Sequence, residues 1–266
     1  MKYLNDVKAK DIKSSIGTDT VYQSKNSGCF TITNYLDSYN IGIRFIDTGY
    51  EMVAHLGCIK NGEVKDPYSP SVCGVGVLGT KYPPSISGVL TREYALWQGM
   101  LQRCYSDNFK KKNPTYEGCE VSDNFKSYEY FYEWCNKQIG FGNDGNGNPF
   151  QLDKDLLVKG NRVYSEYSCI FLPNEINLLL TKRTASRGNQ LIGVHWCNTK
   201  KAFVAQVGKN KGKQEKLGSF NTELEAFNAY KIAKESFVKE QAEKWVGKID
   251  PRAYEALMNY TVEIDD

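Results

Sequence analysis

Between residues 20 and 65 the apolar positions come in short runs. Val21–Gln23, Cys29–Leu36 and Asn40–Ile46 are rich in β-branched and aromatic residues, and Lys25–Gly28, Asp37-Ser38 and Asp47–Gly49 break them up. That pattern predicts a small twisted sheet or barrel of four to six strands. Asn61-Gly62, between Cys58–Lys60 and Glu63–Lys65, predicts a two-residue hairpin turn. Gly74, Gly76, Gly79 and Pro83-Pro84 then predict an extended connector. The Gly74–Gly79 run looks superficially like a dinucleotide fingerprint. Prolines follow it rather than a strand–turn–helix unit, so that reading falls.

From about residue 88 the period lengthens. Thr91 can cap a helix whose apolar positions are Tyr94, Leu96, Trp97, Met100, Leu101 and Cys104. A strand at Cys119–Val121 precedes a second helix, capped by Ser122 or Asp123. Its aromatic stripe, Phe125, Tyr128, Phe131 and Tyr132, reads as core. A turn or hairpin begins at Leu152–Leu157, Cys169–Leu172 reads as a strand, and Pro173 opens a closing helix. Three strands then follow at Leu191–Cys197, Ala202–Val207 and Glu215–Phe220. Thr222 with Glu225 forms a capping box for a helix carrying Leu224, Phe227, Tyr230 (or Ala226, Ala229, Ala233) and Phe237 on one side. The fold class expected is α+β. The expected parts are an N-terminal β-rich domain with its connector (1–87), an α+β domain (88–185), a βββα domain (186–247), and a helix with an acidic tail (248–266).

Composition adds exclusions. Apolar residues are 41% and charged residues 24% of the 266, near globular averages, so wholesale disorder is excluded. No apolar run approaches the ~18 residues of a membrane span. The first fifteen residues lack a secretory apolar core, so a cytoplasmic protein with no membrane partner is expected. The eight cysteines include no C-x-x-C pair and read as buried free thiols. His55 and His195 are the only histidines, which excludes His-rich metal nucleases and zinc proteases.

The net charge of +3 hides an asymmetry. Nine lysines and arginines and one glutamate lie between Thr181 and Phe220, a local charge of +8, which leaves the remaining chain at −5. A basic block on an acidic body is the footprint of a polyanion binder, although lysine-rich faces are also ordinary solvated surface. Lys200, Lys201, Lys209 and Lys216 fall in or beside the three strands, where they can neutralise phosphates. Arg187, His195, Trp196 and Gln206 are candidate base readers. Trp196 reads equally as core, and His195 as an ordinary surface residue.

The unit starting at Gly193-Val194-x-Trp196 continues with Lys201-x-Phe203-x-Ala205-x-Val207. Next come Leu217-Gly218-x-Phe220-x-Thr222, Glu225-Ala226, Ala229-Tyr230 and Ala233. Over about 50 residues it resembles the AP2/ERF DNA-binding domain, in the form often fused to phage and mobile-element endonucleases. Phe203 stands where that family often has Trp. The resemblance implies a three-stranded sheet lying on double-stranded DNA.

The middle carries Trp97-x-x-Met100-Leu101-x-Arg103-Cys104-Tyr105 and Tyr116-x-x-Cys119-x-Val121. It continues with Leu152-Asp153-Lys154-Asp155, Gly160-Asn161, Tyr164-Ser165, Cys169 and Asn174-x-x-Asn177. Over about 85 residues it resembles the HNH-like domains of phage endonucleases, including those of homing type. The resemblance implies a catalytic site at Asp153, Lys154 and Asn161. If chemistry were retained, Asp153 and Asn177 would hold Mg2+ or Mn2+. An active HNH site places a histidine directly after the strand aspartate, and Lys154 stands there instead. A protonated lysine has no lone pair to accept a proton, and losing a general base costs ~10²–10⁴ in rate.

The expectation is therefore a phage-type DNA-binding protein whose HNH-like nuclease region is degenerate. Two alternatives stay open. One is an active metal-dependent HNH endonuclease. The other is a phage inhibitor that binds a host or defence protein.

Overall fold

The computed structural model describes residues 8–143, 145, 147–181, 189–209 and 214–266. The chain is mixed α and β and divides into two compact units, Met1–Glu133 and Trp134–Asp266.

In the first unit, α1 (Ala9–Ser14) precedes β1 (Tyr22–Gln23), β2 (Cys29–Tyr35), β3 (Ile41–Phe45) and β4 (Glu51–Ala54). These strands form one antiparallel sheet in chain order. Its inward residues, Phe30, Ile32, Ile41, Ile43, Phe45 and Ala54, pack with Ile12, Ile59 and Val64 in one core. The alternation expected for a half-buried sheet is therefore present.

Asn61-Gly62 does not turn a hairpin. Leu56–Lys60 is a helix, α2, with His55 at its N-cap accepting from the Gly57 amide. Gly62 has φ +66° and ends that helix, its N–H donating to the Ile59 carbonyl while the Glu63 N–H donates to Cys58. A left-handed residue serves a helix C-terminus as well as a primed turn, which is why the dipeptide misled.

The expected connector contains a hairpin, β5 (Ser85–Ile86) and β6 (Val89–Leu90). Thr91 then caps α3 (Arg92–Tyr105), accepting from the Tyr94 amide. The chain goes on through α4 (Asp107–Lys112), β7 (Glu120–Val121), α5 (Asp123–Lys126, capped by Ser122) and α6 (Tyr128–Lys137). Trp97, Met100, Leu101, Phe125, Tyr128 and Phe131 are buried, as the stripe predicted. The Trp97 indole donates to the Phe125 carbonyl at 2.8 Å, satisfying its one polar group.

In the second unit, β8 (Gln151–Asp153) is followed by β9 (Val163–Tyr164) and β10 (Ile170–Leu172). β8 and β10 pair antiparallel, Asp153 opposite Ile170. Pro173 is the N-cap of α7 (Asn174–Leu180), one position before the place expected for it. β11 (Val194–Cys197), β12 (Ala202–Gly208) and β13 (Gln214–Phe220) form a three-stranded antiparallel sheet. α8 (Glu223–Lys244) backs it, and α9 (Pro251–Met258) follows. Val262, in the tail, is buried in the same core as Val194, Ala205, Val207 and Tyr230. The Lys231 ammonium and Glu235 carboxylate hold Val262 by its carbonyl and amide.

The cysteines are free. Cys104, Cys119, Cys135 and Cys169 are buried as expected, whereas Cys58 is exposed.

Candidate nucleic-acid interface

The C-terminal sheet is assembled from local signals. Thr222 and Glu225 exchange the two hydrogen bonds of a capping box at the start of α8. That fixes the helix against the sheet, with Ala226, Phe227 and Tyr230 meeting Val194, Ala205 and Val207. Gly193 has φ +77°, and a Cβ there would lie 2.0 Å from the Tyr230 ring. Only glycine lets the strand entry pass this close to the helix.

Strand alternation gives the sheet two sides. Phe203, Ala205 and Val207 of β12 face α8, as do Val194 and Trp196 opposite them. His195, Val204 and Ser219 form a cross-strand row on the other side.

Along β13 strict alternation from Phe220 would turn Leu217 and Glu215 away from the helix and Lys216 toward it. A β-bulge prevents this. Ala205 pairs Gly218 and Gln206 pairs Lys216, so Leu217 is the extra residue. Leu217 packs into the helix-side core, Lys216 lies opposite Gln206 on the far side, and Glu215 lies opposite Val207 on the helix side.

The far side therefore carries His195, Lys216 and Gln214, all exposed, with half-buried Gln206. The Lys200 ammonium reaches it from the β11–β12 turn, donating to Ser219 Oγ at 3.3 Å. Val204 lies buried at the centre of the row. No carboxylate of the described strand residues faces this side.

Other expected contacts fall elsewhere. Lys209 pairs with Glu215 and lies over the Phe237 ring of α8, on the helix side. Trp196 packs edge-on against Phe203 at 4.9 Å and donates to Asn198 Oδ1; 43% of it is exposed at the helix-side rim. Lys201 sits in the β11–β12 turn with φ +45°. Arg187 lies outside the described residues. Gln214 and Ser219 were not singled out from sequence; the side of Gln214 depends on the bulge, whereas that of Ser219 follows from its pairing with Val204. Cys197 shares the side of His195 by alternation. Its thiol is held below the ordinary value by the Lys200 backbone N–H and the Thr199 hydroxyl.

The Asp153 region forms a closed loop. Asp153 Oδ1 accepts the amides of Asp155 and Leu156 at 3.0 and 2.8 Å. Burial pushes its carboxyl above the ordinary range, against the pull of the Leu156 amide. Lys154 is buried and donates to Asp155 Oδ1 at 2.5 Å and to the Asn161 carbonyl at 2.8 Å. The Asn161 amide donates to the Lys154 and Val163 carbonyls, and its Oδ1 accepts the Val163 N–H.

Lys154 and Asn161 thus tie the two ends of one loop together. Asn177 is half-buried on α7, which packs on β8. Among the described residues no group of three or more His, Cys, Asp or Glu converges. The Asn161 carboxamide is taken up by backbone partners of its own loop. Nearby Cys169 is buried, which pushes its thiol up to about 12.

Comparison with family models, with curated proteins and with solved structures returned no match for this chain. Among the described residues no helix is long and apolar enough to cross a membrane.

Proposed function

We propose that this chain is a cytoplasmic, phage-type protein that binds double-stranded DNA through the side of the β11–β13 sheet facing away from α8. In this reading the C-terminal unit works as an AP2-type sheet, and the HNH-like middle is a scaffold without nuclease chemistry. The observation that carries the reading is the sorting of charge across the bulge. Lys200 and Lys216 share one side with His195, Gln206 and Gln214, while Glu215 is turned to the other. A sheet side whose described strand residues offer cations and amides and no carboxylate suits a phosphate backbone and base edges. Loss of cleavage is supported by Lys154 and Asn161, whose polar atoms are engaged in closing their own loop.

The test is fluorescence anisotropy on duplex DNA from 50 to 200 mM salt. Each phosphate contact contributes about 0.9 to the log–log salt slope, so Lys200→Ala with Lys216→Ala lowers the slope by about 2. Lys209→Ala leaves it unchanged. Salt-independent affinity, or equal effects at Lys209 and Lys216, overturns the reading. Supercoiled plasmid stays intact with Mg2+ or Mn2+; metal-dependent nicking that is lost in Asp153→Ala would establish the active endonuclease instead.

A further inference from the structure

The two edges of the C-terminal sheet are supplied with charge unequally. Its order is β11-β12-β13, so β11 and β13 are the edges and β12 the centre. At about 4.8 Å between strands the edges stand roughly 10 Å apart. That is close to the ~12 Å width of a major groove. On a sheet seated there, side chains of the edges meet the phosphate walls and those of the centre meet the bases.

On the side turned away from α8, the β13 edge has permanent cations. Lys216 is exposed there, and the Lys200 ammonium lies against Ser219. The β11 edge offers His195 and Cys197 on that side. Neither β11 nor β12 contains a lysine or arginine. A phosphate wall along β11 therefore finds one strand side chain able to become a cation, His195.

His195 is exposed, and among the described residues its imidazole takes part in no hydrogen bond, ion pair or ring contact. Facing it are Cys197 on its own strand, Val204 and Gln206 on β12, and Ser219 on β13, with Lys200 and Lys216 beyond. Glu215 and Lys209 lie on the helix side. No carboxylate in that set is placed to pair with an imidazolium, whereas a DNA phosphate would be. Histidine is the side chain whose charge ordinarily changes between pH 5 and 8.

We propose that His195 is a proton-linked phosphate contact: its imidazolium meets the DNA backbone at the β11 edge, so binding takes up a proton and tightens as pH falls. This rests on the DNA reading and adds a regulation to it. It also changes the role expected for His195, from reader of a base to contact with the backbone. DNA-bound protein holds the proton more firmly than free protein. The gain is therefore complete on the acid side of the histidine range and absent on the alkaline side.

The experiment is fluorescence anisotropy with the full chain on one duplex, from 50 to 200 mM salt, at pH 5.5 and pH 7.5. One more phosphate contact at pH 5.5 adds about 0.9 to the log–log salt slope. The acid gain in affinity is then about 3.5-fold larger at 50 mM than at 200 mM. His195→Gln, at an exposed position, removes this pH dependence. Cys197→Ser keeps it, which separates the imidazole from the neighbouring thiol. His55→Asn keeps it too, and asparagine retains the capping role at the chain's other histidine. Salt-dependent binding with the same wild-type slope at both pH values overturns this inference and leaves the DNA reading standing. So does an equal pH dependence in His195→Gln, or an altered base preference in that variant with slopes that ignore pH. Binding that ignores salt at both pH values overturns the DNA reading and this inference together.

Discussion

Lys234 offers a direct test of how burial sets energetics in the C-terminal unit. It lies on α8, only 9% exposed, and donates its ammonium to the Leu179 carbonyl in the last turn of α7 at 2.5 Å. Burial lowers its pKa from 10.5 to about 8. A base whose folded pKa falls below its unfolded value opposes folding while charged. That cost is complete below pH 8 and disappears as pH rises past 10.5. Its full size is about 3 kcal/mol at 1.36 kcal/mol per unit.

Lys234→Met removes the cost but leaves the Leu179 carbonyl without its donor, at about 1–3 kcal/mol. At pH 7 the variant is therefore close to wild type or up to about 2 kcal/mol more stable. Between pH 7 and 10 wild type gains about 2.5 kcal/mol relative to the variant. Cys169 and Tyr260, both raised to about 12 by burial, work oppositely. Their folded forms keep protons that the unfolded chain releases, so they lose stability as pH rises through their unfolded values. They act equally in both proteins and cancel in the difference. Urea denaturation of both chains at pH 7 and pH 10 reads that difference directly. A constant gap between them would refute the assignment of the titration to Lys234.

Other outcomes follow from single contacts. Gly193→Ala meets both a positive φ and the Tyr230 ring, and destabilises by about 2–4 kcal/mol in urea melts, whereas Gly208→Ala, with open space around it, changes little. Asn161→Ala loses three hydrogen bonds of the 154–163 loop and costs about 2 kcal/mol by the same assay, while DNA affinity is retained; an effect on binding alone would assign Asn161 to a ligand site. Iodoacetamide at pH 8 labels Cys197 far ahead of Cys169, because hydrogen bonds favour the Cys197 thiolate and burial disfavours that of Cys169; mass-mapped labelling in the reverse order would contradict this.

Much of the architecture was legible because its signals are local. Thr91, Ser122 and Thr222 cap the helices they precede, and Glu225 completes its box, since capping needs only neighbouring residues. The β2 and β3 strands and the three C-terminal strands were visible in composition and period. The β5–β6 hairpin was not, because two-residue strands beside Pro83-Pro84 leave no period to read.

The candidate interface was half legible. The sequence by itself determined that cations concentrate between Thr181 and Phe220 and that a sheet and a helix stand there. Which cations share a side was decided only by tertiary structure. The reason is the period of two: one bulged residue, Leu217, reverses every assignment before it in β13, sending Lys216 outward and Glu215 inward. Packing settled the rest. Lys209 is drawn to Glu215 and the Phe237 ring, and Trp196 to Phe203, contacts between residues whose meeting depends on how helix and strands come together.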